Sequence, residues 1–441
     1  MTSPEGSSIL ALYQQIVCRG LIQYLQQQAG MKLRRGIYGP AVVLWLMMLQ
    51  RLHPRGTVGS AVQLLIEGAA EPLLVDCQRV RRHRISPRTG GYCQARRKLP
   101  KLLCRQVSQE IVEQLRQVLN SQAEGESNVF VLDGSTLELE ARPQLRKQYP
   151  PTQNQHGLGH WPALRLVVMH DLGTGLAQTP CWGPANGPEA VSEQALADQA
   201  VEALPAGSVI VADRNFGVFS VAYAARCRSV AVVLRMTDVR ARKLAGAISM
   251  PGVYPVVWKP SRWDGGQQRQ WPEEARVEGR LIAARVGRGK SKQWLYLFTT
   301  VERPMEEVLA LYGRRWTIET DLRSLKRTVQ LQHLRAQSAD MMEKEILMAM
   351  SAYNLVRAVM CLAARRTRLD PRQLSFTSVL TLVDAAWSKL VQASTQEEHD
   401  REFLRILDVA AQCTLPKRRK RRSYPRFAWR RGALRLRKAE N

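Results

Sequence analysis

Apolar positions recur at helical spacing through the first quarter of the chain. Pro40 precedes the run Ala41 to Arg51, and Leu102, Leu103, Val107, Ile111, Val112, Leu115 and Leu119 fall on one helical face. Residues 1–125 therefore read as a helical domain, closed by the polar, Gly-containing stretch Ser121 to Asn128. From residue 129 the rhythm shortens to that of strands. Val129 to Leu132 runs into Asp133, Leu137 and Leu139 continue the alternation, and Leu164 to Met169 enters the turn Gly173-Thr174-Gly175. A helix over Pro188 to Leu204, a short strand over Ser208 to Ala212, a helix over Phe216 to Cys227 and a strand over Val230 to Leu234 follow. This order describes an α/β fold with a mixed sheet covered by helices.

The next helix begins near Pro304, which leaves about seventy residues too long and too patterned for a loop. Alternation in Arg280 to Val286 and Trp294 to Thr300 marks them as a β-rich insertion. Met341 to Arg366 is a long apolar helix, and further helices extend to Ala411. The implied organisation is 1–125 helical, 126–235 with 304–365 as the α/β core, 236–303 as the insertion, 366–415 helical, and 416–441 a basic tail opening on Lys417 to Arg422.

Charge narrows the partners. With 65 Lys and Arg against 38 Asp and Glu, the net charge of +27 requires a polyanion, and nucleic acid is favoured over an anionic membrane. The longest apolar run, Ala41 to Leu49, is far short of the roughly 20 residues that span a bilayer, and Met1 to Gly20 lacks the features of a signal peptide. A cytoplasmic, nucleoid-associated protein is the expectation. Eight cysteines without a C-x-x-C pair favour neither a zinc knuckle nor a disulfide framework. The basic cluster around Arg81, Arg82 and Arg84 suggests phosphate contacts in the helical N-terminal domain.

Tyr312, Arg315, Glu319 and Lys326 concentrate the chemistry. At about 100° per residue their offsets fall within an arc of about 60°, so one helix face carries a carboxylate flanked by two cations and a phenol. A carboxylate is a hard ligand for Mg²⁺, and Arg, Lys and Tyr hold phosphate oxygens. The alternative is a solvated face laced with i,i+4 pairs. Two acids elsewhere favour a site: Asp133 ends the first apolar strand, and Asp213 ends the strand before Arg214 and Asn215. Three carboxylates converging at one sheet edge would repel one another unless divalent cations lay between them. Two ions about 3.5 to 4 Å apart would serve an in-line displacement at phosphorus. Asp133 would then bridge both, with Asp213 and Glu319 each holding one.

This constellation, with Tyr312-x2-Arg315-x3-Glu319-x6-Lys326, resembles the DDE transposases of bacterial insertion sequences, in the family numbered four and defined by a Tyr-Arg-Glu-Lys signature. The resemblance implies a ribonuclease H-like core interrupted by a β-rich insertion before the Glu-bearing helix. It implies Mg²⁺-dependent cut-and-paste transposition, with Mn²⁺ able to substitute, through nicking, a hairpin and strand transfer. It assigns Tyr312, Arg315 and Lys326 to the phosphates of the transposon end, and it places a flipped base on a tryptophan of the insertion, for which Trp294 is the candidate. Arg214 and Arg323, flanking the acids, are further candidates for DNA contact. The expected partners are inverted-repeat ends and target DNA, with a homodimer in the synaptic complex. Two other readings stay open: a silent DNA-binding regulator derived from a transposase, and a nuclease of ribonuclease H type.

Overall fold

The computed structural model describes residues 13, 17, 19–28, 36–53, 56–74, 77, 79, 84–120, 128–155, 157–261, 271–287, 293–392 and 395–415. Its N-terminal part is helical, as the spacing predicts: α1 (Arg19–Gln28), α2 (Pro40–Leu52), α3 (Val58–Ile66), α4 (Gly90–Lys98) and α5 (Lys101–Asn120). Pro40 opens α2 at a position where its missing N–H costs nothing, and a reciprocal Thr57–Ser60 capping pair opens α3.

Nine strands form one mixed sheet: β1 (Val129–Glu138), β2 (Pro151–Asn154), β3 (Gly157–Asp171), β4 (Cys181–Pro184), β5 (Val209–Ala212), β6 (Ala231–Met236), β7 (Gly252–Trp258), β8 (Val277–Val286) and β9 (Gln293–Thr299). Their order is β2-β3-β1-β5-β6-β9-β8-β7, with β4 alongside β3. β1, β5 and β6 run parallel, and β3 and β9 flank them antiparallel. The strands of the β-rich segment thus extend the central sheet through β9. Trp258 and Trp271 from this segment pack edge-on against Phe219, tying it to the helix behind it.

Alternation along the strands separates two cores. Val129, Val131, Val211, Val233, Ile282 and Leu297 face one layer, whereas Phe130, Leu132, Ile210, Ala212, Leu234 and Phe298 face the other. The short helix α6 (Pro143–Gln148) follows β1. The second layer holds α7 (Glu193–Glu202), α8 (Phe219–Cys227) and α9 (Asp238–Ala245). The first layer contains the N-terminal helices together with α10 (Met305–Gly313), α11 (Thr317–Arg323), α12 (Ala339–Thr367), α13 (Phe376–Gln392) and α14 (Gln396–Gln412).

Helix α12 is long and apolar enough to cross a membrane, yet its apolar stretch is wholly buried in the protein. It serves as the axis of the first layer. Glu345 on α12 receives Arg51 at 2.5 Å and Arg96 at 2.6 Å, all three side chains being buried. The N-terminal helices are therefore fastened to the α/β core through a buried charge cluster as well as apolar packing.

Candidate active site

The same alternation that builds the first core also aims the candidate acids. Val131, Val211 and Val233 lie on one sheet face, and a side chain two positions further along a strand returns to that face. Asp133 on β1 and Arg235 on β6 occupy those next positions, and Asp213 stands in the turn just past the end of β5, close enough to Asp133 to repel its charge. Ile318, Leu322 and Leu325, from the segment that carries Glu319, pack on this face. Sheet and helices thus converge where the apolar runs stop.

Asp133 accepts a hydrogen bond from the Gly134 N–H at 2.8 Å. Its carboxyl is pushed up to about 6, chiefly by burial, with repulsion from Asp213 and Glu193 adding to the rise and Gly134 and Arg315 opposing it. Asp213 accepts from the Asn215 N–H at 2.8 Å, closing the turn after β5. Arg315 is buried; its guanidinium lies 3.8 Å from the half-exposed Glu319 carboxylate. One cation therefore acts on both Asp133 and Glu319.

The segment from Met305 to Thr328 is not a straight α-helix. It tightens to a 3₁₀ turn at Arg314–Trp316, resumes as α11, and widens to a π turn at Ser324–Thr328. The single stripe expected from uniform 100° spacing is corrected accordingly. Tyr312 and Arg315 are buried, Glu319 is exposed, and Lys326 is half-buried. The wider turn delivers the Lys326 ammonium to Ser135 Oγ at 2.9 Å, two residues beyond Asp133 on β1. Burial raises the Tyr312 hydroxyl above its usual range, while Arg315 and Arg235 beside it oppose the rise.

The structure brings Asp133, Asp213 and Arg315 into one electrostatic neighbourhood and reaches Glu319 through Arg315. Among the described residues, no three His, Cys, Asp or Glu side chains are grouped closely enough to hold an ion. Arg214 and Arg323 are exposed, and Arg84 is exposed in the N-terminal layer. Arg81, Arg82 and the tail from Lys417 lie outside the described residues. Trp294 stacks on Tyr296 at 5.7 Å and lies under the Arg285 guanidinium at 4.2 Å.

Several site residues escaped the sequence reading. Glu193, the first residue of α7, accepts a hydrogen bond from the Asn215 amide, and Gln194 donates to the Asn215 carbonyl at 2.9 Å. The pair ties the Asp213 turn to α7. Burial raises the Glu193 carboxyl, Arg165 opposes, and Asp213 adds to the rise. Its carboxylate occupies the space beside Gly134, where an added Cβ would meet Glu193 atoms at 2.4 to 2.7 Å. Only Ser192, an N-cap type before a helical run, marked this helix start. Gly134→Ala is expected to turn the far end of the flexible Glu193 side chain aside at a cost of about 1 kcal/mol or less, read as at most a small drop in the urea midpoint. Trp316, beside Arg315 at 4.9 Å, is exposed.

The sequence pattern of the family described as Transposase DDE domain matches residues 124–355, more than half of the 441-residue chain. The chain is also 31% identical over 164 residues to the transposase InsG for insertion sequence element IS4 of Escherichia coli (strain K12). That similarity covers 36% of each protein, so the chain spans just over a third of the length of this relative.

Proposed function

This chain belongs to the DDE transposases, and from that premise we propose that it cuts an insertion sequence element from DNA and joins its 3′ ends to a target through a ribonuclease H-like core. The single observation that carries the reading is the convergence on one sheet face. β1 and β5 each place an aspartate just past a buried run, and the helical segment bearing Arg315 and Glu319 covers that face. The parallel β1, β5 and β6 with antiparallel β3 support the ribonuclease H-like assignment.

The donor set suits a hard divalent cation. Asp133 is raised to about 6, chiefly by burial and further by Asp213 and Glu193, with the Gly134 N–H and Arg315 opposing the rise, so a bound cation would relieve the cost of ionising it. Carboxylates are hard oxygen ligands; because no three of them are grouped closely enough to hold an ion among the described residues, Asp133, Asp213 and Glu319 would have to draw together to hold Mg²⁺, or Mn²⁺ in its place, as two ions. When bound, they supply Lewis acidity at phosphorus and lower the pKa of an attacking water or 3′-hydroxyl.

The protein's own groups position the DNA. Arg315 presents a rigid guanidinium suited to a phosphate. It is held by the Tyr312 and Trp316 rings, so little side-chain freedom is lost when it binds. Lys326, already steered to β1 by Ser135, supplies a second cation along the strand that leads away from Asp133. Tyr312 donates its hydroxyl to a phosphate oxygen. Arg214, Arg323 and the basic cluster at Arg81, Arg82 and Arg84 contact flanking DNA, and Trp294 receives a base flipped out during hairpin formation. A homodimer pairs two element ends, and the reaction takes place in the cytoplasm on the nucleoid.

The test is cleavage of a duplex carrying the inverted repeats that flank the gene. The full chain is expected to nick at the repeat boundary in Mg²⁺ or Mn²⁺ and to be inert in EDTA. Glu319→Ala should lose at least about a hundredfold in rate while binding the same duplex. Full cleavage by Glu319→Ala, or cleavage in EDTA, would overturn the reading.

A further inference from the structure

A groove of about 780 Å³ opens beside the active site, between the outer half of β1, the projecting end of β3 and the segment after the π turn. Trp161 from β3, Glu138 from β1, and Lys326, Gln332 and Arg335 line it. Trp161 is 49% exposed although it is the largest side chain on the wall, and His160 packs edge-on against it at 4.6 Å. An indole left open on a stiff strand is a ready stacking surface.

We propose that this groove binds an unpaired DNA strand, with one base stacked on Trp161. The inference rests on the transposase reading for its ligand class, but its position is fixed independently. Lys326 belongs both to the groove and to the active site, because its ammonium bonds Ser135, two residues beyond Asp133. The wall made by the end of β1 and the two residues after it, Thr136 to Glu140, starts about 10 Å from Asp133 and reaches at most about 23 Å from it at about 3.3 Å per residue. An unpaired strand, free to extend beyond the about 3.4 Å per nucleotide of a duplex strand, covers that reach in about seven nucleotide steps or fewer. A strand leaving the cleaved phosphate toward Lys326 therefore reaches Trp161 within a few nucleotides.

The chemistry of the wall distinguishes the occupant. Lys326 and Arg335 can meet two phosphates, the indole takes any base by its π face, and the carboxylates of Glu138 and Glu140 with Gln332 can hydrogen-bond base edges. Cations that meet the backbone beside an aromatic platform bind single strands with little sequence preference. Duplex DNA presents no free base face to Trp161, so the groove selects unpaired nucleotides.

The test uses the full chain in EDTA, where cleavage is not required, with fluorescein-labelled dT15 as the single strand and a 30-base-pair duplex as comparison. Trp161→Ala is expected to weaken dT15 binding on the order of tenfold and to leave duplex binding within about twofold of wild type. Trp161→Phe keeps a π face and should retain most of the affinity. Photocrosslinking of 5-iodouracil-substituted dT15 to the wild-type chain should mark the peptide containing Trp161, a readout that does not depend on how well either variant folds. Unchanged dT15 affinity in a folded Trp161→Ala protein, or crosslinks confined to other peptides, would overturn the proposal. Absence of metal-dependent cleavage with the Trp161 crosslink intact would count against the transposase reading and leave the groove standing.

Discussion

Asp133→Asn is expected to abolish metal-dependent cleavage while making the metal-free protein more stable at neutral pH. The two effects share one cause. In the folded chain the Asp133 carboxyl is pushed up to about 6 from its ordinary 3.8, so ionising it above that pH costs stability. With a raised folded value, the favourable contribution is complete below about pH 4 and is lost as pH rises through 6. The difference of roughly two units corresponds to about 3 kcal/mol, which the neutral amide avoids. The same amide is a poor ligand for Mg²⁺, and a fall in rate of about a thousandfold, or about 4 kcal/mol of barrier, is the expected catalytic outcome. Thermal unfolding in EDTA at pH 7.5, paired with cleavage assays, measures both. Added Mg²⁺ should raise the wild-type midpoint and not that of the variant. A variant less stable than wild type in EDTA would show that the burial of Asp133 is not under charge stress.

Asp321→Ala is expected to cost about 3 to 5 kcal/mol of folding stability. Asp321 lies two residues after Glu319 but points into the first core, where it is 4% exposed. It accepts a hydrogen bond from Arg372 at 2.5 Å and lies 4.0 Å from Arg357 on α12. Both arginines also donate to the turn after β3: Arg357 to the Thr174 carbonyl at 2.8 Å and Arg372 to the Leu172 carbonyl at 2.8 Å. One carboxylate therefore pins α11 to α12 and to the sheet. Removing it leaves two buried guanidinium groups without their shared counter-charge. Gly175 belongs to the same lock, since its φ of +75° and the Arg357 guanidinium against it leave no room for a Cβ. Chemical denaturation of Asp321→Ala and Asp321→Asn gives the measurement, and a loss below about 1 kcal/mol in both would refute the lock.

The lock also sets an acid limit. Burial tends to raise the Asp321 carboxyl, but Arg372, Arg357 and His170 outweigh it and hold it below its ordinary value. Its contribution is present above the ordinary carboxyl range and is lost as pH falls through the depressed value. His170, buried beside it, is lowered to about 4 by desolvation, with Asp321 opposing and the arginines adding to the drop. Its share of stability is complete above about 6.5 and declines as pH falls toward 4. Mild acid therefore loosens the seat of the Glu319 helix before the carboxylate itself titrates.

Local pattern carried much of this protein. The period-2 runs ending at Asp133 and Asp213, the helical spacing before residue 120 and the Tyr312 to Lys326 signature are properties of neighbouring residues. They led to a mixed α/β fold and to a transposase, which the match over residues 124–355 bears out. Other features depend on partners far apart in the chain. Ideal helical geometry could not reveal the 3₁₀ and π turns that bury Arg315, expose Glu319 and send Lys326 to Ser135, because those turns follow from packing against β1. Glu193 reaches Asn215 and Gly134 only once α7 docks on the sheet. The groove at Trp161 exists because the β2–β3 hairpin projects past β1 beside residues 330–335. The sequence by itself determined which residue types stand at the ends of buried runs, since burial alternation is written locally. Tertiary structure decided which of them share a face and a counter-charge, because electrostatic neighbourhoods form between segments that only folding brings together.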